Sequence, residues 1–302
     1  MLLKCVADEF RKTGEFSEFL QRKDSKVSIE GIAPSSFALI IASIFNQEPR
    51  QTLVITKNYQ KMQELYLDLT CFTDPQSVCL FPSWETMPYE YVSPSEKIEK
   101  ERITSLYRII KGESAIILAP LESLVRTIPE RNFFIRKGFT LNSGEEYPFD
   151  DLIELLVSYG YTREYRVEAF GQFSVKGGII DVYLPNHDFP LRLDFFGDTL
   201  EGIREFDPET QISTSQLKTV KIFPRKELIL SISERKKLTA LLEEAKSRGL
   251  AVPQDDADTE EMNPYYFRGI EDLYPLIIKP ENILSFLRTD SWIFFLETGE
   301  LI

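Results

Sequence analysis

Residues 27–38 have the layout of a phosphate-binding loop: a strand-like start, then Gly31, then an apolar helix. In a working loop, the residue five places after the first glycine is a second glycine, whose amide wraps the phosphates. Lysine follows for their charge, and then serine or threonine for magnesium. Those three places hold Ser36, Phe37 and Ala38. Because Phe37 cannot supply a cation and Ala38 cannot bind magnesium, we expect a degenerate loop that hydrolyses no ATP. Gly31 equally fits the ordinary start of a helix.

Other catalytic candidates are few. The single histidine, His187, lies in a Pro-Asn-His-Asp turn, where a solvated side chain is expected, and no G-x-S-x-G elbow supplies a nucleophile. Adjacent carboxylates are better explained as complements to a helix dipole than as an acid and base. We therefore predict no catalytic triad and no metal site. These carboxylates are Asp150 with Asp151 and Glu145 with Glu146. The three cysteines, Cys5, Cys71 and Cys79, form no C-x-x-C pair and have one histidine to join them, so we expect no zinc site and a reducing compartment.

Residues 161–178 combine cations with aromatic side chains on or beside two neighbouring predicted strands. Arg163, Arg166 and Lys176 lie among several aromatic residues there. Arginine and aromatic residues are typical anchors of protein interfaces, because they join contact area to directed hydrogen bonds. The alternative is an edge hairpin made soluble by its charges.

The elements that must position these residues divide into two patterns. Short β-branched runs at 53–56, 77–81 and 115–118 alternate with amphipathic helical spacing at 59–69 and 98–110, which predicts a parallel α/β sheet. After about Arg126 the apolar residues alternate, most clearly over 171–197, which predicts antiparallel strands of a smaller α+β unit.

Helical spacing returns beyond about Pro208. It predicts a helix with Ser233 as N-cap, an apolar face and an end at Gly249, followed by a final strand at 292–297. The apolar face comprises Leu238, Leu241, Leu242 and Ala245.

The composition excludes some classes of function. The 302 residues carry 35 Lys plus Arg against 48 Asp plus Glu, a net charge of −13, which argues against a phosphate-backbone grip. Neither a signal peptide nor an apolar run of about 18 residues is present, so a cytoplasmic protein without membrane contact is expected. The acidic run 254–261 is expected to be a solvated linker rather than a metal site.

Several strings together resemble the N-terminal part of the bacterial transcription-repair coupling factors. They cover most of the chain from about residue 27, and the set is far more specific than any one string. The strings are FPSWETMPYE from Phe81, GY from Gly160, KGGIIDVY from Lys176, LRLDFFGD from Leu191, FDPETQ from Phe206 and FRGIEDLYPL from Phe267.

The resemblance implies a similarity to the repair helicase UvrB. The implied fold is a helicase-like parallel-sheet domain formed from two chain segments, 1–126 and 208–302, with a UvrA-binding-like α+β domain inserted at 127–207. The degenerate loop distinguishes the chain from UvrB. In addition, the segment at 89–97 leaves no room for the long aromatic hairpin with which UvrB clamps DNA.

A recruitment role follows from the resemblance. The inserted domain is expected to bind UvrA and to bring repair to an RNA polymerase stalled at a lesion, with no cofactor bound by this chain. ATP, magnesium, duplex DNA and RNA polymerase would belong to other domains of the full-length factor, an ATP-dependent DNA translocase. Arg163 matches an arginine of the UvrB surface, Lys176 stands where UvrB has another, and Ser174 replaces a further basic residue. The expected contact residues are Arg163, Arg166, Phe173 and Lys176.

Two further classes compete with this hypothesis. A nucleotide-dependent α/β enzyme would use the 31–38 segment as a non-standard phosphate loop. A DNA-binding module would need a basic surface, whereas residues 127–207 carry 8 basic and 15 acidic side chains.

Overall fold

A computed structural model describes residues 2–14, 16, 18, 27–28, 32–33, 36–85, 94–249 and 270–296. Helices and strands alternate at first, and strands predominate between residues 162 and 222. In chain order the elements are α1 (Leu2–Arg11), α2 (Phe37–Gln47), β1 (Thr52–Thr56), α3 (Tyr59–Phe72), β2 (Val78–Leu80), α4 (Glu96–Lys111), β3 (Ile116–Pro120), α5 (Leu121–Val125), β4 (Ile128–Pro129), α6 (Arg131–Arg136), β5 (Phe139–Asn142), α7 (Phe149–Ser158), β6 (Thr162–Arg163), β7 (Gln172–Lys176), β8 (Ile179–Val182), β9 (Leu191–Phe196), β10 (Thr199–Phe206), β11 (Ser213–Leu217), β12 (Thr219–Ile222), α8 (Ile232–Ser247), α9 (Ile270–Leu273), β13 (Pro280–Glu281) and β14 (Trp292–Phe295).

The chain divides into two compact units. The first comprises residues 1–83, 108–126 and 282–302, and the second comprises 84–107 and 127–281. The division into 1–126, 127–207 and 208–302 stays a prediction.

A parallel sheet forms the centre of the first unit, which confirms the predicted α/β class. Its strand order is β14-β1-β3-β2, and every neighbouring pair is parallel. Strands β1 and β3 are buried throughout, as expected of β-branched runs covered on both faces. Apolar side chains of α2 and α3 pack against one face, among them Ile41, Phe45, Met62 and Leu65.

The second unit contains a six-stranded sheet in the order β11-β10-β9-β8-β7-β6. Its strands are antiparallel, as predicted for 171–197, except that β6 pairs parallel with β7. Helix α7 packs Leu152 and Leu156 into the same core as Phe173, Ile180 and Leu193. Asp150 and Asp151 lie in the first turn of α7, as predicted, whereas Glu145 and Glu146 precede the helix and Glu146 forms an isolated β-bridge with Thr199. Two short antiparallel pairs, β5 with β12 and β4 with β13, complete the strand pairing among the described residues.

Two glycines form the tip of the hairpin between β7 and β8. Gly177 has a φ of +60°, a region that side chains rarely adopt. A Cβ on Gly178 would lie 2.4 Å from the carbonyl oxygen of Phe195 in the neighbouring strand. This tip fixes Lys176 at the end of β7.

Helix α8 begins two residues before the predicted position. Ser231, not Ser233, is the N-cap: its hydroxyl accepts from the Glu234 amide, and the Glu234 carboxylate accepts from the Ser231 amide. This capping box requires a glutamate three places after the serine, and Ser233 has Lys236 there. Of the predicted apolar face only Leu238 is buried.

The helix ends near Gly249, as predicted, with a positive φ at that residue. Within the described ranges, no helix is both long and apolar enough to cross a bilayer.

Candidate protein-interaction site

The site is built on the β6 edge of the six-stranded sheet. The Thr162 amide donates to the Gly171 carbonyl at 2.9 Å, and the Glu164 amide donates to the Phe173 carbonyl at 2.8 Å. These bonds place Arg163 in register with Phe173. Lys176 lies three residues further along β7, about 10 Å away at the usual strand rise.

Arg163 and Lys176 are both exposed, and neither has an anionic partner in the part of the chain that the structure describes. Among the residues that the structure describes, Arg163 makes no hydrogen bond or ion pair. The Lys176 ammonium instead lies 4.3 Å from the ring centroid of Tyr165, a side chain that is 87% exposed. Two cationic groups at this edge are therefore available to a partner.

Most other cations in residues 139–228 are paired with carboxylates. Arg192 donates to Asp181 through two nitrogens, at 2.7 and 2.9 Å, and stacks over the Phe206 ring. Arg204 pairs with Asp194 at 2.7 Å. Lys218 resembles Arg163 in being exposed without an ion pair in the described part of the chain, but it follows β11 at the opposite edge of the sheet.

Arg166 is exposed but bound to its own domain. Its Nη2 donates to the carbonyl oxygens of Pro208 and Glu209 at 3.1 and 2.6 Å, and its Nε lies 3.3 Å from Glu168. Nearby, the Gln211 side chain donates to the Val167 carbonyl, and Val167 is fully buried. Arg166 thus anchors the connection between β6 and β7.

Phe173 does not belong to a contact surface in this fold. Its side chain is fully buried in the core of the second unit. Successive side chains of a strand point to opposite faces, so Ser174 and Lys176 lie on the other face of the sheet from Phe173. Ser174 is buried as well, in register with Asp181, whose carboxylate already binds Arg192. We expected Phe173 to contact a partner, but the structure shows that it is a core residue.

A second group of charges binds α4 to residues 225–227 within the same unit. Glu96, Glu99 and Arg102 are spaced three residues apart along α4. Their charges are opposite, in the same order, to those of the Arg-Lys-Glu sequence at 225–227. The Lys226 ammonium lies 2.9 Å from Glu99, and fully buried Arg102 binds Glu227 while stacking over Trp84. The pairs are Arg225 with Glu96, Lys226 with Glu99, and Arg102 with Glu227.

The phosphate-loop positions are only partly described. Gly31 lies outside the described residues, as does the acidic run 254–261. Ser36 is the N-cap of α2 and makes no side-chain capping bond, and Phe37 begins the helix. Ala38 is fully buried in the same apolar cluster as Val54.

The histidine, carboxylate and cysteine candidates do not form a common site among the described residues. His187 is not solvated as expected: its side chain is 18% exposed, and Nδ1 lies 3.7 Å from a Glu205 oxygen. Glu145 accepts hydrogen bonds from Tyr147 and Asn142, and these lower its pKa. Cys71 is exposed and Cys79 is buried, and neither forms a disulfide within the described residues. No described group of histidine, cysteine and carboxylate residues is arranged to hold a metal.

Sequence reasoning did not single out Tyr165 or the 225–227 pairs. Tyr165 was one of several aromatics in its segment, and only the fold shows that it is exposed beside Lys176. The Glu-x-x-Glu-x-x-Arg spacing of α4 was a usable signal, but its complement lies 125 residues away from Arg102.

Comparison with known proteins identifies one part of the second unit. Residues 139–228 match the family model of the UvrB interaction domain. Transcription-repair-coupling factors of Staphylococcus aureus strains RF122 and MRSA252 are each 31% identical over 203 residues, which is 67% of this chain and 17% of theirs. The factor of Staphylococcus epidermidis is 29% identical over 205 residues, 68% of this chain and 18% of its own. The chain thus spans under a fifth of the length of these relatives. Residues 139–228 form a UvrB interaction domain, and the chain is a module of the transcription-repair-coupling factor family.

Proposed function

We propose that this chain recruits the repair protein UvrA through the β6 edge of its second unit. The observation that carries the proposal is the pair of exposed cations, Arg163 and Lys176, within a UvrB interaction domain. Their lack of carboxylate partners among the described residues contrasts with the paired Arg192 and Arg204. The partner surface is therefore acidic.

The chemistry of these residues suits a protein partner. A guanidinium can bind a carboxylate through two parallel hydrogen bonds, and an exposed arginine keeps all five donors available for this. Charges of this kind raise association rates and select partners of complementary potential. The net charge of −13 and the anchored state of most neighbouring cations do not favour duplex DNA as the ligand of this surface.

The chain itself is proposed to be catalytically silent. Ala38 is packed in the core where a nucleotide-binding loop has a magnesium ligand, and Phe37 replaces the lysine. In the full-length factor, ATP and magnesium would bind motor domains that move on duplex DNA and act on stalled RNA polymerase. We place this activity in the cytoplasm, at the site of transcription.

A pull-down with purified UvrA tests recruitment. The wild-type chain should retain UvrA, and Arg163→Ala combined with Lys176→Ala should lose it. Loss of buried interface charges costs about 2 kcal/mol or more, roughly a 30-fold change in affinity. Lys218→Ala removes an equally exposed charge at the opposite sheet edge and is the matched control. Equal retention of UvrA by the folded double variant would refute the assigned surface.

A further inference from the structure

Tyr165 is the most exposed of the large hydrophobic side chains in the UvrB interaction domain, with 87% of its surface accessible. It lies in the connection between β6 and β7, and its ring is 4.3 Å from the Lys176 ammonium. In the other cation–π pairs described in the same unit, the ring is buried or half-buried. Arg192 stacks on the fully buried Phe206, for example. The pair of Tyr165 and Lys176 contributes no core packing and faces solvent.

A ring holds an ammonium group differently from a carboxylate. The attraction comes from the ring quadrupole, which restricts the lysine without neutralising its charge. The ammonium therefore retains its full charge and its hydrogen-bond donors for a second group. A carboxylate of a partner can bind Lys176 while the Tyr165 ring stays beneath it.

The residues on both sides of Tyr165 are held by contacts within the domain. On one side, the Glu164 amide is bonded to the Phe173 carbonyl at 2.8 Å. On the other, the Arg166 side chain is bonded to Pro208 and Glu209, and Val167 is buried. A backbone held in this way loses little further conformational entropy on binding. Tyrosine also provides a large, rigid contact area, as is typical of residues that dominate interface energies.

We propose that Tyr165 and Lys176 act as one composite anchor: Tyr165 contacts the protein partner and positions Lys176 for a partner carboxylate. The proposal rests on the proposed function, since it assigns further contact residues at the same edge. It also explains how Lys176 can bind a partner carboxylate although a lysine cannot form the two parallel hydrogen bonds of an arginine. Tyr165 is here a contact residue in its own right, and it positions the lysine as well.

Substitutions at residue 165 separate these roles from a structural one. We expect Tyr165→Leu to weaken binding of the chain to UvrA by about tenfold, because the ring provides both contact area and the lysine's position. Tyr165→Phe keeps the ring and should stay within about threefold of the wild type. Phe189→Leu is the matched control: this aromatic is 44% exposed in the β8–β9 connection, at the other end of the strands from the β7–β8 tip. Both Tyr165 variants should unfold at the wild-type temperature, because the side chain of Tyr165 is solvent-exposed.

Nuclear magnetic resonance tests the pair without a partner. The ε-methylene protons of Lys176 should be shifted upfield by the Tyr165 ring, and Tyr165→Leu should abolish that shift. A double-mutant cycle of Tyr165→Leu with Lys176→Ala should show coupling in the UvrA affinity.

Four outcomes are informative: two would refute the composite anchor alone, and two would refute the proposed function as well. If Tyr165→Leu binds UvrA as the wild type does, while Arg163→Ala with Lys176→Ala is impaired, the composite anchor is wrong and recruitment stands. An unshifted Lys176 methylene signal also refutes the anchor. If every variant binds equally, or if the wild type does not bind, the proposed function fails and the anchor fails with it.

Discussion

Arg102 is fully buried in α4, and its guanidinium donates hydrogen bonds from Nε and Nη2 to the two carboxylate oxygens of Glu227. The same guanidinium stacks over the Trp84 ring. The side chain of Glu227 is 7% exposed, so both charges are removed from water. Each of the two charges is neutralised by the other, and the pair joins α4 to the segment that follows β12.

Removal of one member of this pair should destabilise the second unit. Glu227→Ala leaves the Arg102 charge buried and unpaired, and we expect a loss of about 3–5 kcal/mol in the free energy of unfolding. Urea denaturation measures it. Arg136→Ala, which breaks an exposed ion pair with Glu130, should cost about 1 kcal/mol or less and is the control. A Glu227→Ala chain as stable as the wild type would contradict the buried-pair account.

Helix α8 allows a test of the corrected N-cap. Ser231→Ala removes the hydroxyl that accepts from the Glu234 amide, so it should cost about 1 kcal/mol of stability. Ser233→Ala, two residues away in the same turn, should change stability by about 0.5 kcal/mol or less. Chemical denaturation followed by circular dichroism compares the two. Equal losses for both serines would show that Ser231 is not the cap.

A nucleotide titration addresses the degenerate phosphate loop. The melting temperature of the chain should not rise with magnesium and ATP, because Phe37 and Ala38 supply neither a cation nor a metal ligand. Binding at about a hundred times the dissociation constant would stabilise the fold by roughly 2.7 kcal/mol, an effect that a thermal shift detects. Magnesium alone is the control. A melting temperature that rises with ATP concentration would favour the nucleotide-dependent enzyme.

Buried phenols predict a loss of stability at high pH. Burial raises the pKa of Tyr159 to about 12, and its hydroxyl donates to the Lys137 carbonyl. In the unfolded chain the same phenol ionises near its ordinary pKa of about 10. The unfolded state therefore loses its proton first, so stability is fully present below about pH 10 and declines as pH rises toward 12.

Urea unfolding between pH 9 and pH 12 measures this decline. Tyr159→Phe should reduce its slope. Burial also raises the pKa values of Tyr107 and Tyr161, so part of the decline should persist in the variant. An unfolding free energy that stays constant from pH 10 to pH 12 would contradict the assignment.

Local patterns were sufficient to predict much of the fold. The β-branched runs correctly predicted the parallel strands β1, β2 and β3, since strands buried on both faces must be apolar throughout. Period-two alternation over 171–197 correctly predicted the antiparallel strands β7, β8 and β9. These features depend on residues close in sequence.

Features that depend on distant partners could not be predicted in this way. Phe173 is one position away from Ser174, and only the sheet's pairing and the packing of α7 show that Phe173 belongs to the core. The Arg102–Glu227 pair spans 125 residues. We expected both Arg163 and Arg166 to contact a partner. The hydrogen bonds of Arg166 to the carbonyl oxygens of Pro208 and Glu209 instead make it an anchor within its own domain.

The affinity of the chain for UvrA tests the central claim most directly. We propose measuring the dissociation constant side by side for the wild type, Arg163→Ala and Lys218→Ala. The two substitutions remove exposed cations that have no ion pair within the described ranges, and these cations lie at opposite edges of one sheet. The account predicts at least about tenfold weaker binding for Arg163→Ala and wild-type binding for Lys218→Ala. Equal affinity of Arg163→Ala and the wild type would contradict it.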